Sequence, residues 1–470
     1  MQRLKWFYPG MKIKRWLLLS LIGNIFIFFG LSERITYDKT YLMFQYPSFF
    51  FNSFDLILII AGSILVIIGI QKSLRSILNV LIPEKEDEIV NLVFKKRQLE
   101  KGPKIVAIGG GTGLPILLQG IKEITSNITA IVTVADDGGS SGRLRKDFQV
   151  LPPGDIRNCL VSLADQEFLM GSLFQYRFPE TSQSSLAGHN FGNLFITAMT
   201  QVTGDFDEAI RQSSKVLAIR GQVIPATLEN IVLVAEFDNG SFIEGESKIS
   251  KTSNKIKKVF IRPEECKPNP ECIKAIEEAD IIILAPGSLY TSLLPNLIIK
   301  EITSVILKSS ALKLYICNIM TQPGETDGYT ASEHVRVILD HTDKGIFKYI
   351  MVNKVPISEN VLKRYKESRA DIVTTDAEKL RSMGMKVIEE DLLYSGDMVR
   401  HDPKKLAKAI LTLLIDTNIR QRDLYIKRRW GLDLLEGKKP SITKLFNKNY
   451  KVFNTDQKQQ KYDNRKRFYT

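Results

Sequence analysis

Two long apolar stretches open the chain, and from Lys104 onward short apolar runs alternate with amphipathic ones. The first stretch, Trp16 to Leu31, is uncharged. The second, from about Phe49 to Ile70, carries Asp55 near its start and is uncharged from Leu56 onward. About 20 helical residues cross a bilayer core, so the second is long enough and the first is marginal alone. A cleaved signal peptide is the competing reading of the first, but Leu31-Ser32-Glu33-Arg34 offers no small-x-small cleavage site. Basic residues precede Trp16, and Lys72 and Arg75 follow Ile70, so the positive-inside rule puts both helix ends on the cytoplasmic side. Residues 1–75 are therefore expected to form a helical hairpin in the cell membrane, with the main domain and both termini cytoplasmic. No twin-arginine or lipidation signal is visible.

Residues 76–102 turn polar (Pro83-Glu84-Lys85-Glu86-Asp87-Glu88) and read as a linker. Beyond them lie the apolar runs Ile105–Ile108, Ile128–Val134, Ile231–Phe237, Ile281–Ala285, Leu314–Cys317 and Tyr349–Val352. Most are followed by a Gly-, Pro- or Asn-rich loop and then a helical stretch such as Leu114–Ile124. Continuous apolar strands, as opposed to alternating ones, predict a parallel sheet covered on both faces. The fold class is thus α/β, a doubly wound, mostly parallel, Rossmann-like sheet over residues 103–415. The charged segment Gly240–Lys258 reads as an antiparallel excursion at one edge, and residues 403–416 as a closing helix. Residues 416–470 form a basic tail.

Charge distribution changes the reading of a net +13 over 470 residues. Residues 1–15 carry +5 and residues 416–470 carry +9, which leaves about −1 for everything between. A balanced body with basic ends suits contact with anionic lipid headgroups. The tail's Tyr425, Trp430, Tyr450 and Phe453 would also suit nucleic acid, a less favoured partner, and a solvated tail explains them equally well. Cys159, Cys266, Cys272 and Cys317 are too few for a disulfide scaffold and lack zinc or redox spacing.

Ligands of doubly wound sheets bind at the carboxyl ends of the strands, and there the chain is most unusual. After the first strand comes Gly109-Gly110-Gly111-Thr112-Gly113, whose amides can approach a phosphate at a helix N-terminus. It is neither a G-x-G-x-x-G fingerprint nor a P-loop. The second strand ends in Asp136-Asp137-Gly138-Gly139-Ser140-Ser141-Gly142-Arg143-Leu144-Arg145, joined shortly by Asp155-Ile156-Arg157. Carboxylates there can hold Mg²⁺ or ribose hydroxyls, and guanidiniums can grip phosphate. Gly188-His189-Asn190-Phe191-Gly192-Asn193 opens a further helix and offers contacts to base or phosphate. Gly287-Ser288-Leu289-Tyr290-Thr291-Ser292 adds hydroxyls and an aromatic ring. Asn318 precedes the last loop, Met320–Tyr329. His334, His341 and His401 have no metal spacing. Each loop can also be read as a solvated turn or a strand–helix connection without ligand.

In this order and spacing, Gly109–Gly113, Asp136–Arg145, Leu151–Arg157, Gly188–Asn193, Gly287–Ser292 and Met320–Tyr329 resemble the YvcK branch of the CofD-like proteins. The resemblance covers roughly Pro103 to Val355 and extends more weakly to about residue 415. It implies a UDP-sugar-binding regulatory protein, a gluconeogenesis factor, with a ligand such as UDP-N-acetylglucosamine. It also implies links to cell shape and envelope synthesis, and a homo-oligomer. The CofD transferases themselves move a phospholactyl-type group from a guanosine diphosphate donor to a deazaflavin with a divalent metal. By position, Asp137 and Asp155 fall near their metal-holding acids, but the glycine loop departs from theirs, so that transfer is the alternative. A dinucleotide-dependent oxidoreductase is the third class: Asp136 stands 25 residues after Gly111, close to a ribose-binding acid, but the third glycine is missing. The residues expected to bind ligand are Gly110, Gly111, Thr112, Gly113, Asp136, Asp137, Gly139, Ser140, Ser141, Arg143, Arg145, Asp155, Arg157, His189, Asn190, Asn193, Gly287, Ser288, Tyr290 and Asn318. No catalytic residue and no certain cofactor are expected, Mg²⁺ being the one ion the carboxylates could hold.

Overall fold

The structure is a computed structural model that describes residues 14–41, 53–81, 89–165, 168–181, 184–252, 254–396 and 398–417. Most of the N-terminal basic cluster, the acidic part of the linker and nearly all of the basic tail lie outside the described residues. The chain divides into two units, Met1–Gln98 and Leu99–Thr470.

The first unit holds two long helices, Lys14–Tyr41 and Ser53–Leu81. They contain apolar spans of 18 and 23 residues, long enough by length and composition to cross a membrane. The helices run antiparallel and meet on glycines seven residues apart in each: Gly23 faces Gly62, Gly30 lies against Asp55 and Ile59, and Gly69 lies against Trp16 and Ser20. A Cβ on Gly23 would stand 2.6 Å from Gly62 O, and one on Gly62 would stand 2.5 Å from Gly23 O. Small residues at such a seam let two backbones touch, the packing that serves where lipid removes any hydrophobic drive between helices. Leu17, Leu21, Phe28, Ile57, Ile60, Ile64 and Ile67 stay exposed. At one end Lys72 Nζ lies 5.5 Å from the centre of the Trp16 ring, beside Arg15. Arg15 and Lys72 therefore share that end, whereas Arg34 and Lys39 belong to the far end of the first helix.

In the second unit, residues of strong β-propensity build a seven-stranded parallel sheet. Its strands are β1 (Ile105–Gly109), β2 (Ile128–Val132), β3 (Gln222–Pro225), β7 (Ile281–Leu284), β8 (Leu312–Ile316), β9 (Tyr349–Asn353) and β10 (Lys386–Glu390). The order is β10-β9-β8-β7-β1-β2-β3. β1, β2 and β7 are buried at every residue, as central strands between two helical layers must be. The chain winds outward from β1 to β3, returns, and winds the other way from β7 to β10. The reversal leaves a crevice at the carboxyl ends of β1 and β7, the place where such sheets bind ligands. The Pro403–Thr417 helix closes the unit against the Gly113–Ile121 helix.

Two expectations about strands need correction. The run Ile231–Phe237 is not in the parallel sheet. It is β4 (Val232–Phe237), which pairs antiparallel with β5 (Phe242–Glu244) and β6 (Ile256–Arg262) in a separate three-stranded sheet inserted between β3 and β7. The Asp238-Asn239-Gly240-Ser241 turn is the cause. Gly240 adopts φ +80° and Asn239 Oδ1 accepts from Ser241 N, so the chain doubles back at once instead of crossing over. The polar segment after it is antiparallel as expected, but it belongs to this second sheet and not to an edge of the first. β3 and β10 were not anticipated, because short or charged edge strands lack the continuous apolar pattern.

Candidate functional site

The crevice is built from backbone contacts first. Gly113 opens its helix with its Cα pressed against the Pro286–Gly287 peptide. A Cβ there would lie 1.9 Å from Pro286 O. Gly287, at φ +143°, is clamped by Asn318, whose Oδ1 accepts from Gly287 N at 2.8 Å and whose Nδ2 donates to Gly287 O at 2.6 Å. The β1, β7 and β8 loops are thereby locked together across the reversal point.

Three helices begin around this lock: Gly113–Ile121, Gly139–Phe148 and Gly154–Leu163. None receives a side-chain cap at its N-terminus, unlike the helices capped by Asn190, Asp205, Asn269 and Thr330. Uncapped first-turn amides with the positive end of the helix dipole behind them attract anions. Two carboxylates sit among them. Asp155 Oδ2 accepts from Gly111 N at 2.8 Å, and Asp136 Oδ1 accepts from Gly138 N at 2.8 Å. Burial raises the Asp155 carboxyl to about 6, opposed by the Gly111 bond and reinforced by the Asp136 charge.

The Asp136–Arg145 stretch is split by its own helical turn. Asp136 and Ser141 face Gly154 and Asp155: a Cβ on Gly154 would meet Ser141 Oγ at 2.4 Å and Asp136 Oδ2 at 3.0 Å. Asp137 faces the other way. Its Oδ1 accepts from Ser247 N at 2.8 Å and its Oδ2 lies against Gly245. Arg145 donates to Ile231 O on the same side, and with Asp137 it lines a recess of about 340 Å³ between helix and inserted sheet. The pair expected to hold Mg²⁺, Asp137 with Asp155, is therefore corrected: Asp136 and Asp155 share the crevice, and Asp137 staples the insertion. Mg²⁺ takes one or two carboxylates and completes its shell with water or phosphate oxygens. Asp136 and Asp155, each with one oxygen outside the bonds just described, fit that demand. Among the described residues no group of three or more His, Cys, Asp or Glu gathers as a metal cage.

On the third side the helix meets the Gly188–Asn193 loop. Ser140 Oγ lies 3.1 Å from His189 Nδ1 and accepts from Asn190 N at 3.2 Å, while Asn190 caps its own helix through Asn193 N. Arg157 donates to Asn193 Oδ1 at 3.1 Å and to Asn158 Oδ1 at 2.6 Å. Burial, with Arg177 nearby, lowers the Arg157 guanidinium to about 10. Arg143 is exposed and donates to Ala187 O at 2.8 Å. His189 is buried at 6% exposure, so it braces the loop and offers no open face to a ligand. Thr112 and Gly139 are exposed at the mouth.

Tyr290 is placed in the core. It is 1% exposed, its hydroxyl is 3.0 Å from that of Tyr329, and its ring meets His341 edge-on. Tyr290 was expected to contact ligand, but Leu289–Leu293 is a π-helical turn, buried throughout, that turns this side chain inward. Ser288 sits at the start of that turn. Its hydroxyl donates to Glu325, which also accepts from Thr291 Oγ1 at 3.2 Å and from Gln322 Nε2 at 2.9 Å. Glu325, 3% exposed, was passed over in the sequence although it lies inside the Met320–Tyr329 motif. Glu246, from the insertion, was invisible there. Burial, followed by the charges of Asp136 and Glu325, raises it to about 7.

With this geometry in place, comparison with known proteins gives the class. Residues 105–393 match the CofD family, described as 2-phospho-L-lactate transferase CofD, and the chain belongs to that family. Within it the similar proteins carry another name. The gluconeogenesis factor of Bacillus subtilis is 49% identical over 313 residues, 66% of this chain and 98% of its own. A Nostoc sp. relative is 46% identical over 422 residues, 87% of this chain and 92% of its own, an alignment longer than everything beyond residue 98. A crystal structure of a UPF0052 family member from Bacillus halodurans superposes with a TM-score of 0.63 at 48% identity, covering 66% of this chain and 99% of that one.

The raised carboxyls set a pH dependence. Asp155 and Glu246 hold their protons more tightly folded than unfolded, so their contribution is full below the ordinary carboxylate range and is lost as pH rises through about 6 and 7. His189, His334, His341 and His401, all lowered by burial, act in the opposite sense, so the test is the variant against the parent: without divalent cations Glu246→Gln should raise the melting temperature more at pH 8 than at pH 5. An unchanged slope in calorimetry would refute the placement of Glu246 beside Asp136. Tyr290→Ala should cost about 3–5 kcal/mol of stability, as a large buried ring does, and a denaturant titration of ligand-free protein would measure it.

Proposed function

We propose that this chain is a membrane-anchored regulatory protein that binds a nucleotide sugar, a UDP-sugar such as UDP-N-acetylglucosamine. The observation that carries the reading is the meeting of three uncapped helix N-termini around Asp136 and Asp155 at the reversal of the sheet. Amides of the Gly110–Gly113 loop and of the Gly139 helix suit a diphosphate. The two carboxylates suit a ribose hydroxyl pair or a Mg²⁺ ion shared with the phosphates. The gluconeogenesis-factor name of its relatives supports a link to growth on gluconeogenic carbon. Roles in cell shape and envelope synthesis, and assembly as a homo-oligomer, belong to the same proposal.

Expected outcomes separate this reading from catalysis. UDP-N-acetylglucosamine with Mg²⁺ should raise the melting temperature, reflecting about 2.7 kcal/mol at 100-fold excess over Kd. GDP, NAD and NADP should not. Asn318→Ala, which frees the Gly287 peptide, should weaken binding about tenfold, or 1.4 kcal/mol. A transferase of the phospholactate type is the second reading, favoured by the Asp136–Asp155 pair. Conversion of a UDP- or GDP-linked donor during long incubation, seen by mass spectrometry and abolished by Asp155→Asn, would establish it instead. No shift with any nucleotide would defeat both.

The hairpin supports membrane attachment through its glycine seam, its exposed apolar flanks and the basic end shared by Arg15 and Lys72. That end faces the cytoplasm in this proposal, as do the main domain and both termini, and the basic tail touches anionic lipid. Full-length protein should remain in the membrane pellet after alkaline carbonate washing. Its release into the supernatant would remove the anchor.

A further inference from the structure

The end of the sheet opposite the glycine loops holds a second cavity. We propose that the amino ends of β8, β9 and β10 bind an amphipathic phosphate, a small molecule with an apolar body and a phosphate head. The cavity has a volume of about 680 Å³, within the roughly 300–1,000 Å³ of small-molecule sites. Its apolar wall includes Leu312, Leu339, Met383, Met385 and the ring of Tyr349. Its charge is one-sided: Lys313, Lys344 and Lys348 line it, and no carboxylate does.

The sheet itself gathers these cations. Parallel strands in register bring their first residues together, so Lys348 N donates to Lys313 O at 3.2 Å and Lys386 N donates to Lys348 O at 2.9 Å. Lys386 Nζ then stands 5.3 Å from the centre of the Tyr349 ring. Lysines elsewhere on this sheet are neutralised: Lys104 before β1 meets Glu278 at 2.8 Å, and Lys354 at the carboxyl end of β9 meets Glu390 at 3.8 Å. Among the described ion pairs none involves Lys313, Lys344, Lys348 or Lys386. Lys313 is also drawn inward. It is half-buried, its Nζ donates to Leu307 O at 2.9 Å, and burial lowers its pKa. A dianionic phosphate in the cavity would meet these cations with no lining carboxylate to oppose it. The methionines supply an adaptable surface for the apolar body.

Pyridoxal 5′-phosphate, an aromatic phosphate whose aldehyde condenses with a deprotonated lysine amine and loses water, is a direct probe. Full-length protein in nanodiscs of neutral lipid is treated with a sub-stoichiometric amount, the imine is reduced with borohydride, and labelled peptides are mapped by mass spectrometry. Label is expected on Lys313, Lys344 or Lys348 ahead of other lysines. AMP, as a soluble phosphate, or dodecyl phosphate, as a lipid-like one, should protect these sites about tenfold. Protection by AMP assigns a soluble ligand, and protection by dodecyl phosphate alone assigns a lipid. Met383→Glu and Lys348→Glu should each cut labelling of Lys313 about tenfold with the melting temperature unchanged. Label spread evenly over surface lysines, protection by neither compound, or equal protection by inorganic phosphate would overturn the proposal.

Discussion

The contact between the glycine loop after β1 and the Pro286–Gly287 turn after β7 is the constraint on which the site depends. Backbone touches backbone there, and any side chain on Gly113 would occupy the Pro286 carbonyl. Asn318 holds the far side of the turn from β8. Because the contact fixes the start of the first helix, it also fixes Gly111 N, and through it Asp155 and the start of a second helix. Ser288 and Thr291, donating to the buried Glu325, tie the same turn to the loop after β8. Three loops from strands adjacent in space but distant in sequence thus behave as one rigid cradle.

The electrostatics of that cradle are mixed in sign, which narrows its chemistry. Helix N-termini attract an anion, yet Asp136, Asp155, Glu246 and Glu325 crowd the same region, three of them with carboxyls raised by burial. A bare phosphate would meet repulsion as well as attraction. The ligand proposed above, a nucleotide diphosphate carrying its own cation and offering ribose hydroxyls as donors, would answer both. Protons held by the raised carboxyls relieve the same repulsion in the protein without ligand.

The inserted three-stranded sheet is coupled to the cradle through side chains and not through the main sheet. Asp137 accepts from Ser247 N, Arg145 donates to Ile231 O, and His341 Nε2 accepts from Val259 N at 3.1 Å. Glu246 reaches the crevice only because of those attachments. The lysine-lined cavity at the opposite end of the sheet shares none of these groups, but Leu339 in its wall lies on the Ala331–His341 helix that also carries His341.

Sequence alone determined the elements whose cause is local. Uncharged runs of sufficient length became the hairpin helices, buried β-branched runs became β1, β2 and β7, and glycine-rich punctuation marked the loops at their carboxyl ends. It also marked Gly110–Gly113, Asp136, Asp155, Gly287 and Asn318 as residues of strand ends, which the fold brings together in space. Direction within a loop was decided by tertiary structure. Asp136 and Asp137 are adjacent in sequence and opposed in space, Tyr290 is turned into the core by a π-helical turn, and His189 is enclosed by Ser140. The inserted sheet came from a tight Asn239-Gly240 turn overriding an apolar run that reads equally well as parallel. Glu246 and the Lys313–Lys348 pair had no local signal at all, since strand register and packing between distant segments bring them to their places. Composition and periodicity report what a residue must bury, whereas which neighbour it meets is settled only when the chain closes on itself.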